Sequence, residues 1–215
     1  MVGMQNLRCL GYYEFYGCDN VSDDTKVLFP ALKTFCIWDA RNLIEWMGVL
    51  FPCLEELTLS GCNQLTSAPS HFPRLKKLVI RDMNSGGKVI ASILSNELTT
   101  LTNLVIVNVR EIAYLPEILL ENNRNLSHLE IGDCEELICI APPQSHCRAS
   151  LQQLTIRQCR KLRCLPDYGL SLQTLRIEGC DILECIPIYD FPQLSMLNSN
   201  VHRSLYTIFM LSSLI

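Results

Sequence analysis

The sequence predicts a leucine-rich-repeat solenoid, an α/β horseshoe with a parallel concave sheet of about eight short strands and a mostly irregular convex side. The string Leu-x-x-Leu-x-Ile-x-x-Cys-x-x-Leu recurs, most plainly at Leu126 to Leu137 and at Leu151 to Leu162. The units follow one another at intervals of 21 to 29 residues, which is the period typical of such repeats. Because one unit cannot bury its own apolar face, stacked neighbours share a core.

The first leucine of each unit, here called position 0, sets the register of the chain. The predicted unit starts are Leu7, Leu32, Leu54, Leu75, Leu104, Leu126, Leu151, Leu172 and Leu194. Positions 3 and 5 are apolar and lie two residues apart, which is the strand period, so both should point into the core. We therefore expect one short strand per unit, a single repeat domain over residues 1–197 and an off-pattern tail over 198–215.

Local signals place the turns between the strands. Phe-Pro pairs precede several units, at Phe29-Pro30, Phe51-Pro52, Phe72-Pro73 and Phe191-Pro192. Proline fixes the backbone and cannot donate a ladder hydrogen bond, so each pair marks the turn into a strand. The turn-forming cluster at 84–87 and the apolar residues Val89 to Leu94 predict one short amphipathic helix. The segment Ala141 to Ala149 predicts a surface loop.

Composition limits the classes of function. A hydrophobic content of 48% in 215 residues is enough for one core. The net charge of −4 argues against general nucleic-acid binding. The chain does not begin with a secretion signal, so we expect a cytoplasmic protein. The apolar stretch Leu205 to Ile215 has 11 residues, fewer than the roughly 20 that a membrane-spanning helix needs.

Twelve cysteines raise three alternatives: a zinc site, disulfides or core packing. Three Cys-x4-Cys pairs occupy positions 8 and 13 of successive units, namely Cys134 with Cys139, Cys159 with Cys164 and Cys180 with Cys185, and Cys62 also lies at position 8. Recurrence at fixed positions favours packing, whereas zinc requires four converging ligands that these pairs do not supply. We expect reduced thiols, with no metal and no cofactor.

The sequence contains no recognisable catalytic motif. The turn Ser85-Gly86-Gly87-Lys88 lacks the spacing of a phosphate-binding loop. The four histidines are scattered, and no serine lies in a Gly-x-Ser-x-Gly motif. We expect a binding protein rather than an enzyme.

If positions 3 and 5 point inward, positions 2, 4 and 6 line the concave face. The candidate protein-binding residues on this face are Trp38, Lys77, Arg81, Arg110, His128, Glu130, Arg157, Arg176 and Glu178. In this register Arg81 and Arg110 are lateral neighbours, and with Lys77 beside them and Arg157 and Arg176 farther along they form a basic stripe. The stripe is either an ordinary solvated surface or a site for an acidic partner, since arginine is favoured at interface hot spots.

Several units resemble the repeats of plant intracellular disease resistance receptors, the nucleotide-binding leucine-rich-repeat proteins of the coiled-coil class. The resemblance covers residues 5–197 and rests on the Phe-Pro start, the cysteine at position 8 and the Leu-Pro ending. The segments that carry it include Phe51-Pro52-x-Leu54, Phe72-Pro73-x-Leu75, Ser171 to Cys180 and Cys159 to Pro166.

The resemblance implies a C-terminal region that helps to hold a receptor inactive and recognises a pathogen effector, directly or through a guarded host protein. Contacts with the signalling domains of a full receptor are also implied. This chain has no coiled-coil or nucleotide-binding part, so we expect a fragment, a truncated product or a split part. The alternatives are an F-box-type substrate adaptor, for which residues 1–28 are too short to supply the F-box helices, and a leucine-rich-repeat scaffold without an immune role.

Overall fold

The computed structural model describes residues 9–13, 29–46, 50–96, 98–116, 119, 123–140, 151–165, 172–183 and 196–199. These residues form one nine-stranded parallel sheet whose spatial order follows the chain. The strands are β1 Cys9–Tyr13, β2 Thr34–Trp38, β3 Glu56–Ser60, β4 Lys77–Met83, β5 Asn103–Val109, β6 His128–Gly132, β7 Gln153–Arg157, β8 Thr174–Glu178 and β9 Met196–Ser199. The sheet agrees with the expected parallel sheet of about eight strands, and β9 extends two residues past residue 197. Leu7, Leu194, Phe191-Pro192, the 141–149 loop and the tail beyond residue 199 lie outside the described residues.

In strands β2 to β8 the side chains at positions 3 and 5 face the core, as predicted. In β3, Leu57 and Leu59 are fully buried at positions 3 and 5, whereas Glu56 at position 2 is exposed. Lateral pairing places Leu57 beside Leu78 and Leu59 beside Ile80 on the next strand. The aliphatic side chains therefore form continuous inward columns, which make the core that successive units share.

The register of one unit differs from the prediction. Strands β4 and β5 pair so that Leu78 lies beside Leu104 and Ile80 beside Ile106. Leu104 is therefore at position 3, and its unit begins at Leu101, which is fully buried. The predicted start at Leu104 is therefore wrong. The two starts look alike in the sequence, because each leucine is followed by apolar residues at positions 3 and 5. The corrected start also makes two adjacent unit lengths nearly equal, at 26 and 25 residues instead of 29 and 22.

A left-handed residue lies at position 7 of each unit from β2 to β8, directly after the strand or, in β4 and β5, one residue before its end. The φ angles lie between 50° and 69°, and the residues are Asp39, Gly61, Asp82, Asn108, Asp133, Gln158 and Gly179. Glycine, asparagine and aspartate adopt this conformation at a lower cost than most residues. A start at Leu104 would place Glu111 at position 7, which is also left-handed with a φ of 59°, so the pairing of β4 with β5 decides the register.

A stack of phenylalanines runs through the N-terminal units at the Phe-Pro pairs. The ring centroids of Phe29 and Phe51 lie 6.4 Å apart, and those of Phe51 and Phe72 lie 6.3 Å apart. Trp46 packs edge-on against Phe51 with a centroid distance of 5.5 Å. Offset stacking and edge contacts are the favoured arrangements of aromatic pairs, so this end of the core is built largely from rings.

A buried amide takes the place of the ring farther along the chain. Asn123, three residues before position 0 of its unit, is fully buried and is the one buried polar side chain among the described residues. Its Oδ1 accepts a hydrogen bond from the Leu98 N–H at 3.2 Å, and its Nδ2 donates to the Leu119 carbonyl at 2.9 Å. Asn123 thus hydrogen-bonds the backbone of the preceding unit.

The predicted short helix is present as α1, Gly86–Ile93, which begins three residues before the apolar stretch that predicted it. Val89, Ile90 and Ile93 are fully buried and join the core. A Cβ atom at Gly86 would lie 2.4 Å from Val109 Cγ1, so glycine permits the helix to approach β5 closely. No helix in the described part of the chain has the length and apolarity needed to cross a membrane.

The cysteines at position 8 pack in the core, as the repeat predicts. Cys62, Cys134, Cys159 and Cys180 are all buried, and each thiol donates to the carbonyl two residues earlier at 3.3 to 3.7 Å. Burial raises the pKa of Cys62 and Cys180, because desolvation penalises the thiolate. The described cysteines form no disulfide, and Cys185 lies outside the described residues.

Candidate protein-binding face

The lateral pairing of the strands aligns positions 2, 4 and 6 into three columns on the concave face. From β2 to β8, position 2 holds Thr34, Glu56, Lys77, Asn103, His128, Gln153 and Thr174. Position 4 holds Cys36, Thr58, Val79, Val105, Glu130, Thr155 and Arg176, and position 6 holds Trp38, Ser60, Arg81, Val107, Gly132, Arg157 and Glu178. Most of these side chains are partly or fully exposed, so the columns form an accessible surface.

The structure places eight of the nine candidate residues in these columns, and Arg110 is the exception. Val107, not Arg110, lies beside Arg81. Arg110 lies just after β5, where it is exposed and its backbone N–H donates to the Met83 carbonyl at 2.9 Å. Its placement on the face was wrong because it depended on the start at Leu104.

The charges toward the C-terminal end of the face pair with one another. Arg157 Nη1 lies 3.4 Å from Glu130 Oε1, and Arg157 Nε lies 3.8 Å from Glu178 Oε2. Arg176 donates to Glu178 Oε1 through Nη2 at 2.7 Å and through Nε at 2.9 Å. Two arginines and two glutamates therefore form a cluster without net charge. The predicted basic stripe does not extend across this part of the face.

Gly132 lies between Val107 and Arg157 in the position-6 column and is buried. A Cβ atom there would be 3.6 Å from Val107, which is an ordinary contact, so the site does not require glycine.

Lys77 and Arg81 on β4 are cations of the face that lie outside the Arg157 cluster, with Glu56 on β3 as the lateral neighbour of Lys77. Both are exposed, and neither forms an ion pair with any residue that the structure describes. Their lateral neighbours on β5 are Asn103 and Val107. A basic site thus lies beside an apolar surface on β5, and the valines there replace the residues that the incorrect register had placed on the face.

A shallow hollow of about 140 Å³ lies in the middle of the face. The side chains around it that belong to the concave columns are Asn103, Val105, His128, Glu130, Gln153 and Thr155. Nδ1 of His128 is 2.8 Å from the Ser127 hydroxyl, which fixes the ring. A cavity of about 150 Å³ can hold a benzene molecule, so the hollow matches the size of one aromatic or branched aliphatic side chain.

A second cleft, of about 360 Å³, lies where the strands end and was not anticipated from the sequence. It is lined by Asp82, Val107, Asn108, Asp133, Glu135, Gln158 and Arg160. The Asn108 amide donates to the Asp82 carboxylate at 2.7 Å. The recurrence of aspartate, asparagine and glycine at position 7 was the signal in the sequence. No group of three or more His, Cys, Asp or Glu side chains in the described residues is placed to hold a metal ion.

Similarity to known proteins concerns the fold. The structure matches the leucine-rich repeat domain of the type III effector XopL with a TM-score of 0.63 and 20% sequence identity, over 90% of this chain and 69% of that one. The chain folds as a leucine-rich-repeat solenoid. No protein-family model and no curated protein matches the sequence of this solenoid. Such a repeat scaffold is suited to protein binding.

Proposed function

We propose that this solenoid is a non-catalytic protein-binding domain that acts through the concave face between β4 and β6. The observation that carries the proposal is the exposed pair Lys77 and Arg81 beside Val105, Val107 and the central hollow. Nine strands at about 4.8 Å spacing and about 17 Å length give a face of roughly 650 Å². A standard interface uses about 800 Å² on each partner, so the face supplies most of one protein contact.

The chemistry of the face specifies the partner surface that would fit it. Carboxylates are expected opposite Lys77 and Arg81, because these two cations have no ion-pair partner among the described residues. An aromatic or branched aliphatic side chain is expected in the hollow beside Val105. An apolar anchor flanked by charge complementarity is typical of interface hot spots. The cluster around Arg157 should contribute less, since its charges already compensate one another.

We further propose that this chain is the effector-recognition and autoinhibitory region of a plant disease resistance receptor and that it acts in the cytoplasm. The resemblance of the Phe-Pro starts and position-8 cysteines supports this role. The partner would be a pathogen effector, a guarded host protein or the signalling domains of a receptor. An F-box-type adaptor or a scaffold without an immune role would use the same face, so the proteins that bind distinguish these alternatives.

The test compares two arginines of similar exposure. Arg81→Glu changes the concave face, whereas Arg110→Glu makes the same charge reversal just after β5 and is the matched control. The full chain is used to isolate partners from plant cells, and the dissociation constant of each purified partner is then measured. We expect Arg81→Glu to weaken binding at least about tenfold, which corresponds to about 1.4 kcal/mol, with little change for Arg110→Glu.

The outcomes test the proposed binding face and the proposed biological role separately. Equal affinities of Arg81→Glu and the unmodified chain would contradict the proposed face. Ubiquitin-ligase subunits among the partners would favour the adaptor, and receptor signalling domains or a pathogen effector would favour the immune role. Circular dichroism of both variants verifies that the charge reversals leave the fold intact.

A further inference from the structure

Two cysteines at position 13 face each other across adjacent units. The backbones of Cys139 and Cys164 pair in parallel at a single β-bridge outside the strands, and their Sγ atoms are 3.1 Å apart. The Cys139 thiol also lies 3.5 Å from the Cys164 carbonyl oxygen, to which it donates. The corrected register places Tyr114 at the same position in the preceding unit, and its backbone pairs with that of Cys139 on the side opposite Cys164. The two thiols are therefore held together by the repeat itself.

This pair differs from the buried cysteines at position 8 in accessibility. Cys134 and Cys159 contact each other as well, but both are completely buried, and their thiols donate to the carbonyls of the last residues of β6 and β7. Cys139 is 4% exposed, whereas Cys164 is half-buried and thus open to a reagent in solution. Position 13 therefore combines one accessible thiol with a second, more protected thiol in contact with it.

The backbone spacing is compatible with a covalent link. Neighbouring strands lie about 4.7 to 4.9 Å apart, and the Cα atoms of disulfide-linked cysteines usually lie about 4.4 to 6.8 Å apart. Because the two Sγ atoms already touch, bond formation requires a movement of about 1 Å, which side-chain rotation can supply.

We propose that Cys139 and Cys164 form a reversible disulfide site that reacts with small-molecule disulfides of the glutathione class. The Cys164 thiolate attacks glutathione disulfide, which forms a mixed disulfide and releases one glutathione thiolate. The Cys139 thiolate then attacks the Cys164 sulfur, forms the protein disulfide and releases the second glutathione. The two protein thiols are oxidised, the glutathione disulfide is reduced, and the two protons pass to the two glutathione thiolates.

The link would tie the unit of Leu126 to the unit of Leu151. It would close a loop between residues 25 positions apart, which lowers the entropy of the unfolded chain. Oxidation would therefore stabilise the C-terminal part of the solenoid without altering the concave columns, because position 13 lies outside the strands.

The experiment treats the purified full chain with excess glutathione disulfide, blocks the remaining thiols and maps disulfides after trypsin digestion by mass spectrometry. The expected product joins the peptide of residues 125–148, which contains Cys139, to the peptide of residues 164–176, which begins with Cys164. The melting temperature should rise by about 5 °C on oxidation and return to its original value with a reducing agent.

Three other outcomes would overturn the proposal. The first is the absence of any linked peptide, and the second is a link from residues 125–148 to the short peptide 158–160, which would implicate Cys159. The third is a link from residues 164–176 to residues 177–203, which contain Cys185. Cys139→Ser should abolish the expected product, whereas Cys147→Ser, in the same tryptic peptide, should retain it. Fragment ions of the linked wild-type peptides identify which of Cys134, Cys139 and Cys147 is joined to Cys164, so misfolding of a variant would not leave the question open.

Discussion

Replacement of Asn123 by alanine should lower the free energy of unfolding by more than the small size of the asparagine side chain suggests. The side chain is fully buried, and its amide satisfies the Leu98 N–H and the Leu119 carbonyl. Alanine would leave the Leu98 N–H and the Leu119 carbonyl buried without the hydrogen bonds that Asn123 provides. Each unsatisfied group costs about 1 to 3 kcal/mol of stability. The free energy of unfolding should therefore fall by about 3 kcal/mol, toward the lower part of that summed range because a water molecule can replace one bond.

Urea unfolding followed by circular dichroism measures this change. With a slope of about 2 kcal/mol per molar urea, a loss of about 3 kcal/mol lowers the midpoint by about 1.5 M. Asn125→Ala is the control, since Asn125 is exposed and its amide bonds only the Thr99 carbonyl. This control should change the free energy by about 0.5 kcal/mol or less. Similar losses in the two variants, with equal slopes, would refute the assignment of Asn123 as a buried bridge.

Two further predictions concern the turns and the ion pairs. Gly61 has a φ of 69° and a Cβ atom there would clash with Asp39, so Gly61→Ala should lower the melting temperature by several degrees, whereas Gly132→Ala, where a Cβ atom makes only ordinary contacts, should not. Lys76 and Lys33 lower the pKa of Glu55 from 4.5 to about 2. Because the folded pKa is depressed, this stabilisation is present above pH 4.5 and disappears as the pH falls toward 2. The stability difference between the wild type and Glu55→Gln should shrink over that interval, and a constant difference would contradict this account.

Periodicity was sufficient to predict the sheet. Apolar residues at positions 3 and 5 of every unit are best buried if each unit forms a strand and the strands stack in parallel. Leu57 and Leu59 are an example, since both are buried and pair with apolar residues of the next strand. The position-8 cysteines were predictable for the same reason, since repetition at one position of a stacked unit indicates a shared environment. The predicted α1 also depended only on local turn and apolar signals.

The register near β5 could not be obtained from apolar residues alone. A start at Leu101 and a start at Leu104 both place aliphatic residues at positions 3 and 5. Position 7 separates them only by residue type, because it is Asn108 in the first case and Glu111 in the second, and both are left-handed, with φ angles of 51° and 59°. Asparagine adopts this conformation more readily than glutamate, which favours the start at Leu101 and excludes Arg110 from the face.

The electrostatics of the face depended on side-chain reach, which the sequence does not specify. Columns of residue names showed Arg157 and Arg176 as a continuation of a basic stripe. In the structure Arg157 contacts Glu130 on the neighbouring strand, and Arg176 bends along its own strand to contact Glu178. These two contacts join positions 4 and 6, so an alignment of columns does not reveal them, whereas the contact of Arg157 with Glu178 lies within the position-6 column.

The two ends of the core have different chemistries, and each gives its own signal. Both tryptophans of the chain, Trp38 and Trp46, belong to the unit that begins at Leu32, within the aromatic end. The buried thiols of Cys159 and Cys180 lie at the other end. Tryptophan fluorescence therefore follows the melting of the first units, while the labelling rates of Cys159 and Cys180, measured on their own peptides, follow the opening of the last ones. The unmodified chain thus contains two independent probes that show whether a solenoid loses its units together or one end at a time.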